Sequence, residues 1–350
     1  MASVTKEDVF GALRTVMDPE LHRDLVTLNM IKDVEVSGGA VSFAIELTTP
    51  ACPLRSKIET DARKAVEAVS GVESVEIKMT ARVRSDGKDR DLLKDPVQNV
   101  IAIASGKGGV GKSTVAVNLA ISLAQSGATV GLLDADIYGP NVPTMMGVKH
   151  LPPSGENGLT PAVAYGVKVM SIGFMVKPDQ PLIWRGPMLH SAIQQFLRDV
   201  EWGCLDYLVV DLPPGTGDVQ LSLAQFLPIS GGVIVTLPQQ VSLEDASRGL
   251  YMFNKLEIPV LGVVENMSYL ELPDGTRMEV FGSGGGEKLA AAAGVPFIGK
   301  IPMDPEVRVG GDEGVPIVVS NPDAASAKAL KGIAEDVAAR LSVAVHESGK

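Results

Sequence analysis

A nine-residue segment, Gly106–Thr114 with the sequence GKGGVGKST, constrains this chain more than any other feature. It follows an apolar run that predicts a strand (Val100–Ala104) and precedes one that predicts a helix (Val115–Gln125). This is the pattern G-x-x-x-x-G-K-[ST] of a phosphate-binding P-loop, in its required context. Backbone N–H groups and the helix N-terminus attract phosphate oxygens there. A glycine-rich turn without a ligand is the alternative, but a turn alone does not call for the Lys-Ser pair.

We therefore expect ATP and Mg²⁺ as cofactors. Lys112 would supply charge to the terminal phosphates, and Ser113 would supply a hydroxyl ligand for Mg²⁺. The expected nucleotide-binding residues of the loop are Gly106, Lys107, Gly108, Gly109, Val110, Gly111, Lys112, Ser113 and Thr114.

Carboxyl groups stand at the ends of two further predicted strands. Asp134 and Asp136 end the run Leu132-Leu-Asp-Ala-Asp, and Asp211 ends Leu208-Val-Val-Asp. Because ligands bind at the carboxyl ends of parallel strands, these groups should face the P-loop. Asp211 is the expected Mg²⁺ partner, and Asp136 is the first choice for orienting the attacking water, with Asp134 as the alternative. Each could instead be a turn or N-cap carboxylate.

The organisation predicts an α/β fold, a P-loop NTPase with a mainly parallel sheet, preceded by a small α+β domain. Residues 1–85 alternate as α-β-β-α-β, 86–98 contain a polar linker, and 99–345 carry buried apolar strands separated by helices. The seven expected strands of the large domain are Val100–Ala104, Thr129–Asp134, Val167–Ile172, Tyr207–Asp211, Gly232–Leu237, Val260–Glu265 and Pro296–Ile301.

Composition excludes several classes of protein. The net charge of −11 argues against nucleic acid as the main partner. The sequence shows neither an apolar signal segment nor a long apolar run, so we expect no membrane partner and a cytoplasmic location. Two cysteines, Cys52 and Cys204, are too few for a disulfide framework or a four-cysteine metal site within one chain.

Lys107 lies inside the P-loop, and this second lysine resembles the deviant Walker A motif of the MinD/ParA/nitrogenase-iron-protein class of dimeric ATPases. The resemblance implies a homodimer in which Lys107 reaches the partner's nucleotide and stabilises the transition state. A solvated loop charge is the plainer interpretation.

Four longer motifs resemble the Mrp/ApbC family of iron–sulfur cluster carrier ATPases: Asp134–Asn141, Arg185–Met188, Asp211–Asp218 and Val264–Ser268. The resemblance covers roughly Asn99 to Ser342. It implies that Asn266 contacts the adenine, that the segment after Pro302 closes over the base, and that the client molecules are apoproteins or iron–sulfur assembly factors.

The first domain resembles an iron–sulfur assembly domain through Asp18–Glu20, Leu28–Met30 and Thr49–Pro53. That family's functional cysteine falls at Cys52, just before a predicted helix. A helix N-terminus can lower a thiol pKa, so the expectation is a reactive thiol and an iron–sulfur ligand. A small packing residue is the alternative.

The carrier family's usual C-P-x-C pair is missing. Leu272 and the Pro273-Asp-Gly turn stand in its place, where no sulfur can bind iron. Cys204 is expected to be a core or loop residue. Two other functions therefore stay open: an ATP-dependent adaptor in iron–sulfur assembly that carries no cluster, and a MinD/ParA-like positioning ATPase.

Overall fold

The computed structural model describes residues 4–155, 158–175 and 186–348. In the first domain, a capping box between Thr5 and Asp8 begins the first helix. Gly38 (φ 61°) and Gly39 form the two-residue turn between two antiparallel strands. The elements in chain order are α1 (Lys6–Leu13), β1 (Met17–Asp18), β2 (Arg23–Asp24), β3 (Ile31–Ser37), β4 (Ala40–Leu47), α2 (Arg55–Glu67) and β5 (Ser74–Ala81).

These elements form a small α+β layer. β4 pairs antiparallel with β3 and parallel with β5, and the two helices pack against this sheet. The short β1–β2 pair was not predicted, because two-residue strands carry no periodicity.

The second part of the chain is a doubly covered sheet. Its elements are β6 (Val97–Ser105), α3 (Lys112–Gln125), β7 (Val130–Asp134), α4 (Val142–Met145), β8 (Ala162–Ala164), β9 (Val167–Ser171), a 3₁₀ turn (Ile172–Met175), α5 (Gly186–Asp199), β10 (Leu205–Asp211), α6 (Asp218–Phe226), β11 (Gly231–Thr236), α7 (Gln240–Lys255), β12 (Val260–Glu265), β13 (Leu270–Glu271), β14 (Arg277–Met278), α8 (Gly285–Ala293), β15 (Phe297–Lys300), α9 (Pro305–Glu313), α10 (Ile317–Ser320) and α11 (Ala325–Ser348). Among the described helices, none is long and apolar enough to cross a membrane.

Eight strands form the sheet in the order β15-β12-β11-β6-β10-β7-β9-β8. All seven predicted strands are present and parallel; only the edge strand β8 pairs antiparallel, and it was missed. Successive residues of β6 enter different cores. Ile101 and Ile103 pack with α3 and α11 on one face, and Val100 and Ala102 pack with α5 and α7 on the other. The continuous apolar strands therefore reflect burial on both faces.

The first and last elements of the second part of the chain extend slightly past the expected domain bounds of 99 and 345. β6 begins at Val97 rather than 99, and α11 continues to Ser348 beyond 345. The connecting segment is also packed rather than free: Arg90 binds Asp86 at 2.7 Å, with both side chains under a tenth exposed, and donates to Ser230 at 3.0 Å. Through Arg90, this buried ion pair ties the segment to the large domain, which the composition alone does not reveal, while Asp86 Oδ2 and Arg90 Nε have no hydrogen-bond partner among the described residues.

Candidate nucleotide site

The P-loop joins β6 to α3 at the carboxyl end of the sheet. Gly111 is the N-cap of α3 with φ 84°, and a Cβ there would lie 2.1 Å from the Asn266 Nδ2. A Cβ on Gly106 would lie 2.1 Å from the backbone carbon of Asp245 in α7. Positive φ and close backbone approach are the two conditions that require glycine. The loop is thus shaped by its neighbours as well as by its own sequence.

Lys112 lies between carboxyl groups. Its Nζ is 2.5 Å from Asp211 Oδ1 and 3.3 Å from Asp136 Oδ2, and the Ser113 hydroxyl donates to Asp211 Oδ2 at 2.5 Å. The two strand ends therefore meet the P-loop, as the strand-end argument predicted. Asp211 binds both the lysine and the serine that were expected to meet phosphate and metal.

Burial alone would lower the pKa of Lys112, but the carboxylates of Asp211, Asp136 and Asp134 outweigh it and raise that pKa. Burial raises the pKa of Asp211, against the opposing effect of the Lys112 ammonium. The lysine is therefore charged at neutral pH. The Coulomb interaction of such a pair is strong because solvent is excluded.

Asp134 and Asp136 differ in what they bind. Asp134 is fully buried and accepts hydrogen bonds from Ser171 Oγ at 2.8 Å and from the backbone N–H groups of Asp136 and Val142. Asp136 accepts from the backbone of Tyr138 at 3.1 Å, and its other oxygen faces Lys112. Asp136 thus keeps an oxygen near the phosphate site, whereas Asp134 is occupied by the fold.

The chemistry of these groups fits Mg²⁺. Three buried carboxyl groups and a hydroxyl surround one ammonium, and Mg²⁺ prefers such oxygen ligands together with water and phosphate. Within the described parts of the chain, no three His, Cys, Asp or Glu side chains are arranged to hold a metal by themselves.

A cavity of about 770 Å³ opens beside the P-loop. Asn266 lines it and donates from Nδ2 to the Val110 carbonyl at 2.8 Å, so the end of β12 is tied to the loop. The segment after Pro302 lines the opposite wall, and its apolar lining suits a flat base. Three methionines there were not singled out by the sequence analysis: Met145, Met267 and Met303.

Glu265 is a further residue that sequence reasoning missed. It is fully buried, accepts from Ser268 and from the backbone of Gly284 (3.2 Å) and Gly286 (2.7 Å), and so satisfies the N-terminus of α8. Because it ends strand β12 as Asp211 ends β10, the strand-end rule could have found it. These bonds fix the carboxyl end of β12, which Asn266 follows directly.

Lys107 is half-exposed beside Gly108 and Gly109, and within the part of the chain that the structure describes it forms no ion pair. Arg185, from one motif of the resemblance, lies outside the described residues. Cys204 is exposed in the loop just before β10, so of the two expected settings, core or loop, the structure has the loop.

Cys52 lies away from the P-loop, in a groove of about 420 Å³ between the domains. Gln125, near the end of α3, and Lys331 of α11 form its other wall. The expected lowering of the thiol pKa was wrong: burial, with a smaller effect from Glu20 and Asp18, raises the pKa of Cys52 to about 11. Together these effects on the pKa are larger than the opposing effect of the hydrogen bond from the Leu54 N–H.

A hairpin occupies the position of the missing cysteine pair. β13 and β14 pair antiparallel, the Gly275 N–H donates to the Leu272 carbonyl at 2.8 Å, and Gly275 has φ 81°. The predicted turn is confirmed. Arg277 stacks over the Tyr269 ring at 4.3 Å, so the hairpin is internally stabilised without sulfur.

The fold and the P-loop geometry define a P-loop NTPase of the MinD/ParA type. Residues 96–338 match the family described as "ParA: NUBPL iron-transfer P-loop NTPase", and residues 6–79 match "Iron-sulfur cluster assembly protein". The chain belongs to this family of iron-transfer P-loop NTPases, with an iron–sulfur assembly domain ahead of it.

Relatives match the whole chain. An iron–sulfur cluster carrier protein of Synechocystis sp. is 55% identical over 97% of this chain and 99% of its own length, and one of Deinococcus radiodurans is 51% identical over 95% and 94%. Among solved structures, a nucleotide-binding protein of Archaeoglobus fulgidus in complex with ADP has 39% identity and a TM-score of 0.56, covering 63% of this chain and 87% of that one. The cell-division ATPase MinD of Pyrococcus furiosus, at 24% identity and a TM-score of 0.53, covers 68% of this chain and 98% of its own and shares the fold.

Proposed function

We propose that this protein is a homodimeric Mg²⁺-dependent ATPase that carries iron–sulfur clusters to client apoproteins. The observation that carries the proposal is the contact of Lys112 and Ser113 with Asp211 and Asp136 at 2.5–3.3 Å. The names of the relatives support the cargo: both are cluster carriers.

In this mechanism, ATP draws Lys112 from Asp211 to the terminal phosphates, together with the P-loop N–H groups. Ser113 and Asp211 would hold Mg²⁺, and the ion would offset the charge of the phosphates. Asp136 orients the attacking water, since its Oδ2 atom lies 3.3 Å from Lys112 Nζ, next to the expected phosphate position. The hydrogen bonds of Asp134 support its assignment as the carboxylate that shapes the loop around Asp136.

The base is bound in the 770 Å³ cavity beside Asn266. Lys107 acts on the nucleotide of the second subunit, where its half-exposed ammonium stabilises transition-state charge. The Cys52 thiol is the cluster ligand that we propose within this chain. Two such thiols, one from each subunit, need further ligands from a client or from added thiols.

The test compares ATP hydrolysis with bound iron in protein reconstituted anaerobically. Lys112→Ala should lose phosphate release, whereas Cys52→Ser should keep it and lose iron and transfer to an apoprotein acceptor. Cys204→Ser is the matched control and should keep all three. Stoichiometric iron in Cys52→Ser would refute the proposed ligand.

The hairpin at residues 270–278 favours a second candidate function, an ATP-dependent adaptor that carries no cluster of its own. If the reconstituted wild-type protein hydrolyses ATP but contains no iron, this second function is the correct one. If the wild-type protein releases phosphate no faster than Asp136→Ala, ATP hydrolysis plays no part. Nucleotide binding alone would then hold the dimer of the adaptor together.

A further inference from the structure

A second cavity, of about 270 Å³, lies where the small domain meets the large one. The small domain contributes Arg23, Arg84 and their neighbours. The sheet and the last helix contribute the rest. Its polar lining includes Arg23, Arg84, Asn99, Tyr207, Ser342 and His346. Asn99 and Tyr207 lie near the starts of β6 and β10, so this cavity is at the opposite edge of the sheet from the P-loop.

The cavity is cationic in an acidic protein. Among the described residues, no Asp or Glu lines it, and neither Arg23 nor Arg84 forms an ion pair, although the chain carries a net charge of −11. The nearby Asp206 carboxylate is bound elsewhere, to the N–H and hydroxyl of Thr129 at 2.8 and 2.9 Å. Arginines without a carboxylate partner are suited to bind an oxyanion.

The side-chain oxygen of Asn99 lacks a hydrogen-bond donor among the described residues, and a ligand in the cavity could supply one. Its side chain is only 1% exposed, its Nδ2 donates to the Arg84 carbonyl at 2.9 Å, and its Oδ1 has no partner. The bond from Nδ2 sets the orientation of the amide, so the unpartnered atom is an acceptor. A buried acceptor without a donor is costly, and a ligand with an O–H group would relieve that cost.

We propose that this cavity binds a small oxyanion that carries a hydroxyl donor, of which hydrogen phosphate is the simplest example. The arginines and His346 bind the charge, and Asn99 Oδ1 accepts from the hydroxyl. Because both domains contribute residues, bound anion stabilises the contact between them. The proposal is independent of nucleotide binding and of cluster transfer.

The probe is inorganic phosphate, titrated calorimetrically into the full chain in chloride buffer, with sulfate as the comparison because it has no donor at neutral pH. Arg23→Ala and Arg84→Ala should each weaken phosphate binding by about tenfold or more, since each removes a charge-assisted contact. Arg14→Ala, which removes an exposed arginine of the small domain outside the cavity, is the matched control. Thermal unfolding of each variant without anion verifies that it is folded.

A phosphate site must also persist in Lys112→Ala, because the P-loop can bind the same anion. Sulfate should bind about tenfold or more weakly than phosphate, as expected when one hydrogen bond to a buried acceptor is lost. Two results would overturn the proposal: phosphate binding that disappears only in Lys112→Ala, or equal binding of phosphate and sulfate that both arginine variants retain.

Discussion

Lys112 carries the ammonium of a site that otherwise consists of buried carboxyl groups. Its contact with Asp211 is short, and both side chains are almost fully buried, at 5% and 0% exposed. A buried pair contributes little net stability when intact, but removing one partner leaves an uncompensated charge. The lysine therefore compensates the charge of Asp211, in addition to its proposed role in binding phosphate.

This dual role separates the two lysines of the loop. Lys112→Ala should abolish ATP binding and also lower the free energy of unfolding by about 3 kcal/mol, because Asp211 is left unpaired. Lys107→Ala should leave both quantities unchanged and reduce turnover, since its side chain is half-exposed. Nucleotide titration, chemical unfolding and phosphate release measure these effects. Normal turnover in Lys107→Ala would contradict the role across the dimer.

Cys52 makes a pH-dependent prediction. With its pKa raised to about 11, roughly one thiol in a thousand is ionised at pH 8, so alkylation should be slow and its rate should rise about tenfold per pH unit through pH 10. The raised pKa also contributes stability below the unfolded thiol's pKa, and this contribution is lost as pH rises toward 11. In Cys204→Ser, the rate of alkylation by iodoacetamide reports Cys52 alone. In Cys52→Ser, the same rate reports the exposed thiol of Cys204 for comparison. A rate plateau below pH 9 would show the opposite shift.

Sequence reasoning placed Asp211 and Asp136 correctly because strand ends share one edge of a parallel sheet. It failed for the thiol of Cys52. Proximity to α2 is visible in the sequence, but burial and the approach of Asp18 and Glu20 arise only in the folded chain. The same limit hid Glu265, whose partners are backbone N–H groups 19 and 21 residues away.

At the scale of elements, α3 connects the two sites of the proposed function. It begins at Lys112, and its last residue, Gln125, lines the Cys52 groove. Fourteen residues of helix span about 20 Å. α11 packs along α3. Its residue Leu330 lines the 770 Å³ cavity, and the next residue, Lys331, lines the Cys52 groove. A shift of either helix on nucleotide binding would reach Cys52.

The start of α3 can be tested with a pair of glycines. Gly109 and Gly111 both have positive φ, 80° and 84°, but a Cβ on Gly109 has no atom within 4 Å, whereas one on Gly111 meets Asn266. Gly109→Ala should cost about 1–2 kcal/mol of unfolding free energy from backbone strain alone. Gly111→Ala should cost more and displace Asn266, weakening nucleotide binding. Equal losses in chemical unfolding would show that Asn266 moves aside freely.

The prediction of strands succeeded where the apolar runs were long. The buried parallel strands were found from their apolar runs, whereas β8, three residues at the antiparallel edge, was missed. The connection at residues 86–98 was predicted to be a linker from its polar composition. Its contacts with the large domain were not foreseen, because Lys88 and Arg90 find partners in a loop about 140 residues away.

At the scale of the whole molecule, the two domains share polar contacts and part of a core. Ala51 and Val83 of the small domain join the core around α3 and β10. Beside them, the Tyr207 hydroxyl donates to Thr49 Oγ1 at 2.9 Å, with both side chains at most 1% exposed. The Cys52 loop follows Thr49 directly, so this contact positions the proposed cluster ligand on the ATPase domain.

A double-mutant cycle tests that contact. Tyr207→Phe and Thr49→Val each remove one partner of a buried hydrogen bond and should each cost about 1–2 kcal/mol of unfolding free energy. The double variant should recover about 1 kcal/mol relative to the sum, since the Tyr207–Thr49 hydrogen bond is then removed with both of its partners. The Ala51 N–H, which donates to Thr49 Oγ1 at 3.2 Å, loses its partner in both variants that carry Thr49→Val, so its cost cancels in the cycle. Phosphate release should be largely retained, because Tyr207 lies at the far edge of the sheet from the P-loop, while iron retention through Cys52 falls with the docking. Strict additivity would mean that the two hydroxyl groups do not hold the domains together.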